Sequence, residues 1–177
     1  MNSSFKTCLT ATAARQSVDV KLVLTIGAQE SGFGAHVNSS AAAASGAKGV
    51  MQLMPETAAR YGVSDRCDVA GNIRGGVSLI KDLSARFGGN VFLIFAAYNA
   101  GESQVYAAKG VPPILETVRY VASAANAYYD LPNALNSAHR RLHDGAKPPA
   151  ADPTEPQADS VGQKWIGGSV LYVEQEK

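Results

Sequence analysis

Glu30 is the residue whose position best suits it to do chemistry, because it ends an apolar stretch with a helical pattern. A carboxyl group acts as a general acid near neutral pH only if it keeps its proton, and apolar surroundings raise its pKa by disfavouring the charged form. The side chains expected to supply those surroundings are Ala28, Phe33, Met51 and Met54. A lone glutamate at a helix end is more often a solvated surface residue, so the prediction depends on the rest of the chain.

Three motifs follow Glu30. They are Gly-Ala-Lys-Gly-Val-Met-Gln-Leu-Met-Pro at 46–55, Ala-Ala-Tyr-Asn-Ala-Gly at 96–101 and Glu-Thr-Val-Arg-Tyr-Val at 116–121. We interpret three of their residues as cleft residues: Gln52, Tyr98 and Asn99. Two others we interpret as ordinary core: Leu53 and Met54. Glu116 is equally consistent with a role in the site and with a scaffold role, as a charge at the start of a helix that the helix dipole stabilises.

Cleavage of a glycosidic bond is the chemistry that a protonated carboxyl group of this kind fits. Ordinary glycosidases add a second carboxylate at a defined separation from the acid. Other carboxylates occur at Glu56, Asp82, Glu102 and Glu116, but their distances from Glu30 cannot be read from the sequence. A one-carboxylate mechanism therefore has to be considered. In it the N-acetyl group of the substrate assists departure of the leaving sugar, and one residue serves first as acid and then as base.

The elements that must position these residues are predicted to be mainly helical. Residues 18–31 carry an amphipathic stripe, with Asp19 or Ser17 as the N-cap. Pro55 is predicted to open a short helix that stops at Gly62. Further helices are predicted over residues 72–87, 92–98, 101–108, 114–129 and 133–143, and the 92–98 helix is expected to be buried and central. No alternating strand pattern of useful length precedes residue 144.

Composition excludes several classes of protein. The chain has 177 residues, 46% of them hydrophobic, which suits one globular domain with a tail. Sixteen basic and 15 acidic residues give a net charge of +1, so nucleic acid is not an expected partner. The strongest apolar run, residues 91–97, is far shorter than the roughly 20 residues that span a bilayer, so we expect no membrane span.

The predicted domain covers residues 1–144, and the composition then changes. Residues 145–163 are rich in Pro and Ala and are predicted to be a mobile linker. Residues 164–177 are apolar and β-prone at their start. This segment is expected either to form a strand that packs back on the domain or to act as a partner-docking peptide, with docking slightly favoured.

The sequence motifs of zinc proteases, serine hydrolases and nucleotide-binding proteins are absent or incomplete. His139 and His143 have the spacing of a helical metal pair, but Arg140 and Arg141 stand where a zinc protease would carry its glutamate. No nucleophile elbow, phosphate-binding loop or Cys-x-x-Cys pair occurs. We therefore predict no metal site and no cofactor.

Taken together, the Glu-Ser pair and the three motifs resemble the family 1 soluble lytic transglycosylases, which share a lysozyme-like fold with goose-type lysozymes. The resemblance covers residues 8–131. It implies that Glu30 is the catalytic acid and base, with Tyr98 near it. Val50 stands where this family usually has Leu. The resemblance also implies a set of substrate-binding residues: Ser31, Met51, Gln52, Tyr98, Asn99, Glu116 and Tyr120.

The activity implied by the resemblance is non-hydrolytic cleavage of peptidoglycan. The bond between N-acetylmuramic acid and N-acetylglucosamine would be broken by attack of the muramyl 6-hydroxyl, leaving a 1,6-anhydro end, without a metal or cofactor. Two alternatives stay open. One is a muramidase that hydrolyses the bond with an ordered water, and the other is a non-catalytic assembly module that binds peptidoglycan.

Cys8 and Cys67 are compatible from spacing alone with free thiols or with one disulfide. The small transglycosylases of secretion, pilus and conjugation machines are similar in having one cysteine ahead of the first helix and another in the loop before the Asn-Ile-Arg helix. That likeness implies a Cys8–Cys67 disulfide, a periplasmic location, and secretion or conjugation proteins as partners of residues 164–177. Residues 6–14 are too polar and too short for a signal-peptide core, so a signal peptide is not evident.

Overall fold

The computed structural model describes residues 2–34, 46–131, 164–165 and 171–172. Residues 1–133 belong to one compact unit and residues 134–177 to a second. In the first unit, the described residues form seven helices: α1 (Asn2–Gln16), α2 (Val20–Ser31), α3 (Pro55–Arg60), α4 (Val69–Arg86), α5 (Val91–Ala100), α6 (Glu102–Ala108) and α7 (Leu115–Tyr128). The second unit contains two short antiparallel strands, β1 (Lys164–Trp165) and β2 (Leu171–Tyr172).

The prediction of a mainly helical, lysozyme-like fold is confirmed. Helix α2 has the predicted cap, since the Asp19 carboxylate accepts hydrogen bonds from the first backbone N–H groups of the helix, and α3 begins at Pro55. Helix α4 begins three residues earlier than expected because Asp68 caps it in the same way. The helix expected over residues 133–143, the two histidines and the linker lie outside the described residues.

Helix α1 was not predicted, because we expected the first helix to begin at residue 18. Its buried stripe consists of Leu9, Thr12 and Ala13, and only the first of these is a large apolar residue, so the helical periodicity is weak. Alanine nevertheless favours helices, and α1 packs against α2 and α4. Residues 6–14 are therefore part of the folded unit.

The two cysteines are free thiols, and both are exposed. Cys8 lies within α1 rather than ahead of the first helix, and Cys67 lies in the loop before α4. The disulfide that the family likeness implied is therefore not formed in this structure.

Helix α5 occupies the centre of the first unit, as its apolar sequence predicts. Ile94, Phe95 and Ala96 are fully buried, whereas Phe92 at its start is 45% exposed. The helix packs against α4, α6 and α7 and so holds the end that carries Tyr98 and Asn99 in place. Among the described helices, none is both long enough and apolar enough to cross a membrane.

Candidate active site

Glu30 lies in the last turn of α2, where the helix ends. Gly32 adopts the left-handed conformation with φ of 58°. Its N–H donates to the carbonyl of Ala28, and the N–H of Phe33 donates to that of Gly27. The Glu30 side chain is partly buried, in a region that α2 shares with α7. The end of an apolar helix thus places a carboxyl group at the edge of the core, as the sequence predicted.

The surroundings of Glu30 raise its pKa from the ordinary 4.5 to about 7. Burial is the largest cause, because it disfavours the charged carboxylate. A hydrogen bond of 2.6 Å from the Tyr120 hydroxyl to Oε1 opposes the rise, and the negative charge of Glu116 adds to it. A carboxyl group with a pKa near 7 is protonated in a large fraction of molecules at neutral pH and can donate that proton.

Two tyrosines lie beside Glu30. Burial and the charge of Glu30 raise the pKa of both Tyr98 and Tyr120 well above 10, so each stays neutral. We expected Tyr98 near the glutamate, and its electrostatic interaction with Glu30 places it there. Its hydroxyl, however, donates to the carbonyl of Met51 at 2.8 Å. Tyr120 is the tyrosine that contacts the carboxylate.

A tight hairpin at residues 49–52 forms the neighbouring wall. Lys48 and Leu53 close it through a pair of backbone hydrogen bonds of 3.2 and 2.9 Å. At its corner, Gln52 has a positive φ of 45°, which is costly for a residue with a side chain. The Gln52 amide is held by a hydrogen bond of 2.6 Å to the Gly49 carbonyl. Gln52 is partly exposed, which agrees with its expected place in the cleft.

Three side chains fix this hairpin to three helices. Ser31 at the end of α2 donates to the Val50 carbonyl at 2.7 Å. Tyr98 on α5 donates to the Met51 carbonyl. Asn72 on α4 accepts from the Met51 N–H at 2.8 Å and donates to two backbone carbonyls, those of Lys48 and Arg66. The wall beside Glu30 is thus positioned by a network of side chain to backbone hydrogen bonds.

Two of the expected substrate-binding residues are buried. Ser31 is 1% exposed, and its hydroxyl is occupied by the Val50 carbonyl and by the N–H of Gly34. Met51 is fully buried, with its side chain packed against the bare Cα of Gly76. The burial of both side chains argues against direct contact with a sugar, and their assignment to substrate binding stays a prediction.

Met54 was expected to be core, and this expectation is wrong. The residue is 46% exposed and helps to line a groove, because the hairpin turns the chain outward just before α3. Leu53, one position earlier, is 1% exposed and lies in the core as expected.

The last two motifs meet through their side chains. The Thr117 hydroxyl donates to Oδ1 of Asn99 at 2.8 Å, joining α7 to the end of α5. Glu116 is exposed and lies near enough to Glu30 to raise its pKa. Sequence reasoning missed Asn72 and Thr117 as site-supporting residues. Their signal was a polar residue on the inward, mostly apolar face of an amphipathic helix.

A groove of about 640 Å³ begins at this site. Its lining includes Tyr98 and Asn99 on α5 together with residues of α3, α4 and the start of α6, Arg60 and Arg86 among them. Glu30 is not part of its lining, so the carboxyl group lies next to the groove rather than within it. In the described part of the chain, no cluster of three or more His, Cys, Asp or Glu side chains is arranged to hold a metal.

Comparison with known proteins finds a match to the family model described as Transglycosylase SLT domain, over residues 7–117. The chain is 37% identical over 128 residues to the membrane-bound lytic murein transglycosylase F of Thiobacillus denitrificans, covering 67% of this chain and 24% of that protein. It is 35% identical over 94 residues to the transglycosylase of Enterobacteria phage PRD1, covering 53% of this chain and 34% of that protein.

Among solved structures, the chain is similar to an inactive mutant of the lytic transglycosylase Slt from Pseudomonas aeruginosa. The TM-score is 0.56 and the sequence identity 26%, over 74% of this chain and 24% of that one. The chain thus spans 24% to 34% of the lengths of these relatives.

Proposed function

The chain belongs to the Transglycosylase SLT domain family, and on that premise we propose that it is a lytic transglycosylase that cleaves the glycan strands of peptidoglycan. The observation that carries this proposal is the Glu30 carboxyl group, whose pKa is near 7 and whose Oε1 is held by Tyr120. The relatives named as lytic transglycosylases support it. We infer the substrate bond to be the β-1,4 link between N-acetylmuramic acid and N-acetylglucosamine.

Protonated Glu30 donates its proton to the glycosidic oxygen as the bond to the muramyl C1 breaks, and the N-acetyl carbonyl oxygen of the same sugar bonds to C1 in place of the leaving group. The Glu30 carboxylate then takes the proton of the 6-hydroxyl while that oxygen attacks C1 and displaces the N-acetyl oxygen, which returns to a carbonyl. The products are a 1,6-anhydromuramyl end and a free 4-hydroxyl. Glu30 returns to its protonated state, so one carboxyl group completes the cycle.

Tyr120 assists this cycle in our proposal because its hydroxyl stabilises the carboxylate form that exists between the two steps. Tyr98 and the hairpin at residues 49–52 define where the sugar lies relative to Glu30, and Gln52 and Asn99 supply amide groups along its path. Burial, with a smaller contribution from the negative charge of Glu116, keeps the proton on Glu30 in the resting state.

The test is digestion of purified peptidoglycan by the unmodified protein and by Glu30→Gln, with the muropeptide ends identified by mass spectrometry. We expect 1,6-anhydromuramyl ends and at least a ~10²-fold loss of cleavage in the variant, the scale of removing a general acid. Asp130→Asn is the matched control, since that carboxylate is exposed and pairs with Lys21 beyond the end of α7. Reducing ends would mean a hydrolytic muramidase. Absence of any Glu30-dependent product would favour a peptidoglycan-binding module.

For the cellular role, we propose local opening of the cell wall in the periplasm for a secretion or conjugation apparatus, with residues 164–177 as the docking segment. Two short strands within that segment pair as an antiparallel ladder, with Lys164 opposite Tyr172 and Trp165 opposite Leu171. Such a ladder offers backbone groups for strand-type recognition. Truncation after Gly145 is expected to leave cleavage of isolated peptidoglycan unchanged and to lower secretion or conjugation. Unchanged transfer by the truncated protein would contradict the docking role.

A further inference from the structure

The turn that follows Glu30 has an unusual backbone. Gly32, Phe33 and Gly34 all have a positive φ, with values of 58°, 56° and 87°. Glycine adopts this conformation readily, but it is rare for a residue with a bulky side chain such as Phe33. A strained residue persists only where the surrounding structure holds it. Contacts from outside the turn are therefore needed to stabilise this conformation.

The first turns of α1 provide such contacts. The Phe5 ring lies against the bare Cα of Gly34, so closely that a Cβ at that position would be 2.6 Å from the ring. The next residue, Lys6, places its Nζ 4.5 Å from the centre of the Phe33 ring, in a cation–π contact. Two consecutive residues of α1 thus contact two consecutive residues of the turn.

A movement of the turn would reach the site through one hydroxyl group. The Gly34 N–H donates to Oγ of Ser31 at 2.9 Å, and this hydroxyl donates to the Val50 carbonyl at 2.7 Å. Val50 belongs to the hairpin at residues 49–52, and Ser31 directly follows Glu30. A displaced turn would therefore shift the Glu30 carboxyl group relative to the wall beside it.

Helix α1 has other contacts that attach it to the first unit. Leu9 is fully buried and packs against Gly27 of α2, where a Cβ would lie 2.9 Å from it. In the last turn of α1, the Gln16 side chain makes hydrogen bonds of 3.3 and 3.0 Å to two residues of α4. The contacts of Phe5 and Lys6 can therefore be removed while the helix stays in place.

We propose that Phe5 and Lys6 are positioning residues for the catalytic glutamate, on which they act through the turn at residues 32–34. The proposal rests on the proposed function and adds to it two residues that do not line the groove. Neither residue touches the substrate. Their contacts stabilise the strained turn, and the turn fixes the distance between Glu30 and the hairpin.

The test compares Phe5→Ala with the unmodified protein on a soluble peptidoglycan fragment. We expect kcat to fall about tenfold, because a small misplacement of the acid is costly, and KM to change less than twofold. We also expect a lower pKa of Glu30, measured at its carboxyl carbon by NMR, because water gains access to a group whose pKa is raised by burial. Phe5→Ala alters no charge, and Tyr98, Tyr120 and Glu116 are the same in both proteins.

Two substitutions of Lys6 separate the charge of this side chain from its bulk. Lys6→Arg keeps a cation beside the Phe33 ring and is expected to retain at least half of kcat. Lys6→Met keeps the length without the charge and is expected to lower kcat about threefold. Equal kcat values in these two variants would overturn the role assigned to Lys6.

Gln16→Ala is the matched control, because it weakens the attachment of α1 at the end far from the turn. It should lower the free energy of unfolding and leave kcat and the pKa of Glu30 unchanged. All variants are assayed at a temperature where their denaturation curves show them folded. The proposal is overturned if Phe5→Ala leaves kcat or the pKa of Glu30 unchanged, or if Gln16→Ala changes them as much. The NMR titration needs no substrate, so it decides this proposal even if the proposed activity fails.

Discussion

The Tyr120 hydroxyl and Oε1 of Glu30 are 2.6 Å apart, although the two residues are 90 positions apart in the chain. The contact joins the last turn of α2 to the second turn of α7. It lowers the pKa of Glu30, whereas burial and Glu116 raise it, and the value near 7 results from this opposition. The hydrogen bond from Tyr120 and the charge of Glu116 can each be removed by one substitution, and each removal moves the pKa of Glu30 in a known direction.

Tyr120→Phe is expected to raise the pKa of Glu30 further, because the carboxylate loses the hydrogen bond that stabilises it. The proposed mechanism requires protonated Glu30, so the alkaline limb of the profile of kcat/KM against pH should move to higher pH. The maximal rate should fall about tenfold or more, since the carboxyl group also loses its orienting contact. Profiles of cleavage between pH 5 and 9 check both effects, and an unmoved alkaline limb would contradict the role assigned to this hydrogen bond.

Glu116→Gln is expected to act in the opposite direction. Removing the neighbouring negative charge lowers the pKa of Glu30, so the alkaline limb should move to lower pH. Because Glu116 is exposed, its effect should shrink as salt is added and screens the interaction. Profiles at low and high ionic strength test this. Asp130→Asn should move neither limb, and a salt-independent shift in Glu116→Gln would point to a steric cause instead.

The raised pKa of Glu30 also makes stability depend on pH. The folded value of about 7 lies above the ordinary 4.5, so the folded state binds this proton more tightly than the unfolded state. The resulting stabilisation is fully present below about pH 4.5 and is lost as pH rises through 7. Over that window the unmodified protein should lose at most about 3 kcal/mol relative to Glu30→Gln. Denaturant titrations of both proteins from pH 4 to 8 measure the difference, and parallel curves would contradict the shift.

Much of the helical frame could be predicted from the sequence because its signals are local. Asp19 caps α2 through backbone N–H groups within three residues of it, and Pro55 is the first residue of α3, so both helix starts have a local signal. The apolar stripe of α2 led correctly to Glu30 at the edge of the core. Helix α1 was missed because Ala and Thr form part of its buried face, so the usual contrast between large apolar and polar residues is weak.

The roles within the site were harder to predict, because they depend on contacts between distant parts of the chain. The hairpin at residues 49–52 decides whether Met51 or Met54 faces the groove. Gln52 at its corner has a positive φ, which cannot be predicted from the residue type. Ser31 follows Glu30 directly and was assigned to the substrate, yet its hydroxyl holds the hairpin instead. A motif shows that residues act together without showing which of them touches the ligand.

Asn72 gives the sharpest test of the hairpin network, because it is fully buried and makes three hydrogen bonds to backbone groups. Asn72→Asp keeps the size and the acceptor for the Met51 N–H, but it replaces an amide that donates to two carbonyls with a carboxylate that repels them. We expect a loss of about 3 kcal/mol or more in the free energy of unfolding at pH 7. Part of this loss should be recovered at about pH 4, where the carboxyl group is protonated and regains one donor.

The matched control for that substitution is Asn126→Asp, because Asn126 is only partly buried, on α7. Denaturation of both variants at the two pH values gives the stability effect. Cleavage kinetics at low temperature, where Asn72→Asp is still folded, should show a lower kcat as well, since Asn72 holds the wall that positions the sugar beside Glu30. A stability loss with unchanged kcat would limit Asn72 to the scaffold. A loss below about 1 kcal/mol would contradict the network itself, because leaving two buried backbone carbonyls without a donor costs more than that.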